Sequence, residues 1–114
     1  MLTRKQFLKH LREALNHLYD PKFLRQSPLA DLFDVADRFD TSSQLQNILT
    51  EAIETLKTEA DESSRSPNKR IYELLLYRYV EHFSQKEVAD QFDVSVRHLR
   101  REQDAALEVL GYRL

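Results

Sequence analysis

Apolar residues recur along this chain at helical rather than strand intervals. Phe7, Leu8, Leu11, Ala14, Leu15 and Leu18 come mostly three and four apart, the spacing of one face of an α-helix. Thr3 and Gln6 stand just before them at capping-box distance. A helix is therefore predicted from about Arg4 to Tyr19, ending at Asp20-Pro21 because proline disfavours the helical conformation in the residue before it. Ser27-Pro28 opens a second, short helix, a capping hydroxyl followed by proline at the first helical position. Its LADLF segment offers Leu29, Leu32 and Phe33 to the interior, and VADRFDTSS after it reads as a loop or frayed turn. Thr41 with Gln44, or Ser43 with Gln46, caps the next helix, whose Leu45, Ile48, Leu49, Ala52, Ile53 and Leu56 form one stripe.

The polar run DESSRSPN, residues 61–68, breaks this pattern and reads as a mobile linker, since no apolar residue lies between Asp61 and Arg70. It divides the chain into an N-terminal helical subdomain over 1–60 and a second unit over 69–114. IYELLLYRYVEHF opens that unit, from Ser66-Pro67 or Asn68. On a helical wheel Glu73, Arg78 and Glu81 share one sector, opposite Ile71, Tyr72, Leu75, Leu76, Tyr79, Val80 and Phe83. No strand alternation separates the two groups in this way. The segment is read as a helix with a wide apolar arc, bridging the N-terminal helices to the C-terminal ones. No internal repeat is expected, and the fold class is all-α: a small helical domain with an N-terminal helical subdomain and a C-terminal helix-turn-helix.

That last motif lies in SQKEVADQFDVSVRHLRRE, residues 84–102. Ser84 and Glu87 make a capping box for a helix running to Phe92, with Val88, Ala89 and Phe92 inward. Asp93 takes the turn, in a left-handed conformation that Asp tolerates better than most residues. Val94 plugs the angle between the helices and Ser95 caps the second. There Leu99, Ala106, Leu107 and Leu110 turn inward, while Arg97, Arg100, Arg101 and Asp104 turn outward and Val96 and His98 flank them. The N-terminal turns of such a second helix are the part that meets base edges in a major groove.

Composition changes this picture only in places. One glycine and three prolines leave little for hairpins, and the absence of cysteine excludes disulfides and cysteine-held zinc. Nothing at the N-terminus reads as a secretion signal and no apolar run is long enough for a membrane, so a cytoplasmic protein is expected. The net charge of −2 looks wrong for a DNA binder, but Arg97, Arg100, Arg101 and His98 face a single acid, Glu102. The positive charge is concentrated rather than abundant.

From about Asn68 to Leu110 the chain resembles region 4 of bacterial sigma-70-type factors and related sigma-like regulators. The matching residues are the leading helix IYELLLYRYVEHF, then S..EVA..FDVS, then L.RE...AL..L. The resemblance implies that Ser84–Phe92 is a supporting helix and Val96–Leu110 a recognition helix, with double-stranded DNA as the partner. It places Arg97, Arg100 and Arg101 where the family contacts DNA, with Val96 and His98 beside them, and Gln85 and Lys86 near the phosphate backbone. Asp93 stands where the family usually has glycine, and Val96 where it commonly has arginine. No sigma region 2 is visible, so a sigma-like transcriptional regulator is expected rather than a standalone sigma factor. The alternative is an adaptor docking on RNA polymerase or on a signalling domain, and a homodimer is the favoured assembly.

Other chemistry is weaker. His10, Glu13 and His17 share a face of the first helix, but two turns separate the histidines, about 10.5 Å of rise and too far for one ion. No paired nucleophile and base, glycine-rich phosphate loop or carboxylate pair is present. Neither enzymatic activity, a metal nor another cofactor is expected.

Overall fold

Side-chain caps start most of the helices. In the computed structural model, which describes residues 2–62 and 68–114, the Thr3 hydroxyl accepts from the Gln6 N–H while the Gln6 amide oxygen accepts from the Thr3 N–H. This opens α1, Arg4–Asn16. It ends three residues earlier than the sequence predicts, because residues 17–19 unwind into turns that bring Pro21 into a helix of its own. That helix, α2 (Pro21–Gln26), has Asp20 as its cap and proline at its first position. The sequence reading does not anticipate it, although Asp20-Pro21 carries the same start signal as Ser27-Pro28. Ser27 caps α3, Pro28–Leu32.

The interior of α3 differs from expectation. Leu29 and Ala30 are buried and Phe33 half-buried, but Leu32 is 51% exposed, since it lies more than a quarter-turn from the centre of the face that those three residues share. The 22-residue α4 spans Thr41–Glu62. Thr41 is inside the helix rather than capping it: its buried hydroxyl reaches the carbonyls of Val35 at 2.8 Å and Arg38 at 2.7 Å and ties down the preceding loop. Neither the predicted Thr41–Gln44 box nor the Ser43–Gln46 box forms, and Gln44 instead donates to the Asp40 carboxylate. Residues 61 and 62, expected in the linker, continue α4. The stretch 63–67 of that expected linker lies outside the described residues.

The bridging segment is helical: α5 (Asn68–Leu75) runs on into a π-helical turn, Leu76–Val80. The wider turn ends the helix before Phe83, which is 41% exposed instead of joining the apolar arc. Leu74, Leu75 and Tyr79 are buried. Arg78, expected on the solvent side, is pinned by Nε to the Gln103 amide oxygen at 2.9 Å and by Nη1 to the Phe83 carbonyl at 2.7 Å. Two further helices complete the chain, α6 (Gln85–Phe92) and α7 (Val96–Arg113). Among the described residues all regular structure is helical. None of the helices is long and apolar enough to cross a membrane.

One contiguous core draws on both sides of the expected 61–68 boundary. Leu11, Ala14, Leu15 and Leu18 of the N-terminal part cluster with Leu45, Leu49, Ile53 and Leu56, and with Leu74, Leu75, Tyr79, Leu99, Leu107 and Leu110. Gly111 marks where α1 crosses α7: a Cβ there would stand 3.1 Å from Phe7 Cε2. Arg4 secures the crossing from outside, donating to the Glu108 carbonyl at 3.1 Å and lying 4.2 Å over the Tyr112 ring.

Contrary to expectation, a short repeat is present. Residues 29–35, LADLFDV, and 88–94, VADQFDV, are identical at five of seven positions. Their backbones close in the same way. Asp34 and Asp93 are left-handed at φ 58° and 57°. Val35 donates to the Ala30 carbonyl at 2.9 Å and Val94 to that of Ala89 at 3.0 Å, while Asp34 and Asp93 donate to the carbonyls of Asp31 and Asp90 at 3.1 and 3.2 Å. Each pair is the double closure of a helix C-terminus in which a left-handed residue satisfies the last carbonyls. Ala30 and Ala89 are both buried where the next segment passes close.

Candidate nucleic-acid interface

α6 is fixed before α7 begins. The Ser84 hydroxyl accepts from the Glu87 N–H, and the Glu87 carboxylate accepts from the Ser84 N–H, both at 3.1 Å. The Ser84 N–H bond, with the hydroxyl's help, holds the Glu87 carboxyl below its usual range. Val88 and Ala89 bury the inner face of α6. Asp93 turns the chain at ψ 45°, half-buried Val94 fills the angle, and Ser95 accepts from the His98 N–H at 3.0 Å to start α7. Leu99, Ala106, Leu107 and Leu110 bury its inner face together with Gln103, the buried partner of Arg78. Every geometric step expected of the turn is present.

On the outer face Arg97, Arg100 and Arg101 are exposed, as are Lys86 on α6 and His98. Arg100 is held in place: its Nε donates to the Gln85 amide oxygen at 3.1 Å, joining the starts of the two helices. A guanidinium has five N–H donors in a planar fork, so this anchor still leaves its terminal amino groups for a ligand. Val96 is placed differently from the arginines; it is half-buried against the core and forms the inner edge of the face. The structure thus groups Gln85, Lys86, Arg97, His98, Arg100 and Arg101 around one surface, with Val96 at its margin.

Glu102, the acid nearest the cluster in sequence, is occupied elsewhere. Arg70 reaches it from α5, with Nη2 at 3.2 Å and Nε at 3.3 Å, and stacks its guanidinium 3.8 Å over the Phe92 ring. His98 Nε2 lies 3.2 Å from the other carboxylate oxygen. Arg70 therefore bridges α5, α6 and α7 while removing a negative charge from competition for Arg97 and Arg101. Sequence reasoning misses it, since nothing local signals a pairing across 32 positions. Among the described residues Arg97, Arg101 and Lys86 have no ion-pair partner. The first turn of α7 adds the positive end of its helix dipole to theirs.

The α1 histidines turn to separate partners. His10 lies 3.7 Å from the Glu13 carboxylate, whereas His17 stacks on Phe23 with ring centres 4.0 Å apart. Among the described residues no three metal-ligating side chains converge. A partly exposed aromatic trio of Tyr77, Phe83 and Phe92 sits at α6, with ring centres 6.1 Å apart in each contact. In comparisons with protein-family models, curated proteins and solved structures, the chain matches none.

Proposed function

We propose that this chain is a DNA-binding transcription regulator of the cytoplasm, a sigma region 4-like module that lays the first two turns of α7 into the major groove. One observation carries the reading. With Glu102 engaged by Arg70 and His98, the arginines in the first two turns of a capped, turn-positioned helix form a cationic face with no ion-pair partner among the described residues. A solvated helix surface has no need of a buttress that removes its own counter-charge. A phosphate-lined groove favours one, because each unpaired cation adjacent to the duplex releases counterions.

Roles accord with position. Arg97 projects freely from the first turn and suits bidentate pairing with guanine O6 and N7. Arg100, preset by Gln85, suits the same pairing with less side-chain entropy to lose. Arg101 and Lys86 suit phosphate contact. The test starts with selection of bound sequences from random duplexes, followed by titration of wild type, Arg97→Ala, Arg100→Ala and Lys86→Ala against selected and scrambled DNA. Arg97→Ala and Arg100→Ala are each expected to lose about 1–3 kcal/mol of discrimination. Lys86→Ala is expected to weaken all duplexes alike and to reduce the salt slope by roughly one unit. If wild type prefers no duplex over scrambled DNA, the reading fails, and docking on RNA polymerase or another protein takes its place.

A further inference from the structure

The outer face of α7 presents a problem beyond its second turn. Asp104 and Glu108 are exposed on the same side as Arg97 and Arg101, at one and two further turns along the helix. The major groove is about 8.5 Å deep, so a helix entering by its N-terminal end reaches the rim after roughly two turns. The rim is sugar and phosphate. Asp104 and Glu108 would therefore stand against the most negative part of the duplex.

The other end of the chain supplies an answer. Asp104 and Glu108 line one open groove of about 480 Å³ with Lys5, Lys9 and Arg12 of α1. All three cations are exposed. Among the described residues none of them forms an ion pair with these acids or with any other. The one acid of α1, Glu13, is turned to His10. α1 is held at this distance by its crossing at Gly111 and by Arg4, whose guanidinium is committed to the Glu108 carbonyl and the Tyr112 ring. Because Arg4 meets residues 108 and 112 while Arg12 shares the groove with Asp104, the two helices run in opposite directions. Arg12 is thus the α1 cation that comes nearest to the arginine face, and Lys9 and Lys5 continue the line behind it.

We propose that α1 is a second, sequence-independent DNA contact, in which Lys5, Lys9 and Arg12 grip the sugar–phosphate backbone at the groove rim. The proposal rests on the assignment of the α7 arginines to the groove. It removes the difficulty of the two acids, which three cations in the same groove outweigh. It also explains how a chain of net charge −2 attracts DNA: the charge is sorted by surface rather than by total.

The test uses the full chain with Lys5→Gln, Lys9→Gln and Arg12→Gln combined, three exposed changes whose effect on folding is checked by thermal melting. Two probes are titrated at about 50 and 200 mM salt: a random-sequence duplex pool and the duplex enriched from it by wild type. The variant is expected to weaken both probes by the same factor. Three phosphate contacts at about 0.9 each in the logarithmic salt slope shrink the affinity drop between those two concentrations by roughly 40-fold. Asp104→Asn with Glu108→Gln is expected to tighten both probes equally. A triple variant with wild-type affinity and wild-type slope on both overturns the α1 grip. If wild type shows no preference for the enriched duplex yet pool binding still falls in the triple variant, the α1 contact stands and the base-reading assignment fails. If wild type binds neither probe, both fall.

Discussion

Tyr79 carries its hydroxyl into the core with no hydrogen-bond partner, although the residue is fully buried. Burial pushes its pKa from 10.0 up to about 12, against the weaker opposing pull of Arg78 and Arg12. The folded protein therefore holds this proton more tightly than the unfolded chain does. The stability it contributes is complete below pH 10 and is lost as pH climbs towards 12. Tyr79→Phe is expected to lose nothing at neutral pH, since an unsatisfied buried hydroxyl costs about 1–3 kcal/mol. Relative to wild type it should gain about 1.4 kcal/mol by pH 11, midway between the two values. Denaturant titrations at neutral pH and near pH 11 check this, and parallel loss in both proteins would contradict it. Single residues are legible in the sequence where the signal is local: Asp93 sits in the left-handed conformation its neighbours demand. Arg70, Arg78 and Gln103 are not, because their roles depend on partners 25 and 32 positions away.

At the scale of elements, capping signals mark where helices begin. Thr3, Ser27, Ser84 and Ser95 each cap the helix that comes after them. Asp20-Pro21, taken only as a stop, conceals α2; proline at a first helical position ends one helix and begins another with the same geometry. The π-helical turn is invisible in the sequence, since a wheel assumes 100° per residue throughout and cannot register a locally wider turn. α7 depends on one anchor above others. Leu99 is fully buried one turn into α7, beneath the arginine face, so Leu99→Ala should lower stability by about 2–5 kcal/mol. Chemical denaturation measures it, and an unchanged midpoint would mean that α7 presents a different face to the core.

For the molecule as a whole, the interior spans both stretches that the sequence reading separates. The linker-like composition of 61–68 implies two units, but interior residues from both sides form one cluster, and composition alone cannot report which stripes meet. Within that cluster α5 packs against α4 of the N-terminal part and α7 against α1. Residues 69–114 expressed alone are therefore expected to lack a cooperative thermal transition and dispersed amide resonances; a well-dispersed spectrum would refute the shared core. The duplicated turn gives this molecule an uncommon experimental asset, an internal control. A β-branched replacement at Asp93, such as Asp93→Val, perturbs both local backbone geometry and the aim of the arginines. The same replacement at Asp34 meets nearly the same φ and the same pair of closing bonds, away from α7. The difference between the two variants isolates what the turn does for the proposed DNA binding from what it does for folding, within one chain and one assay.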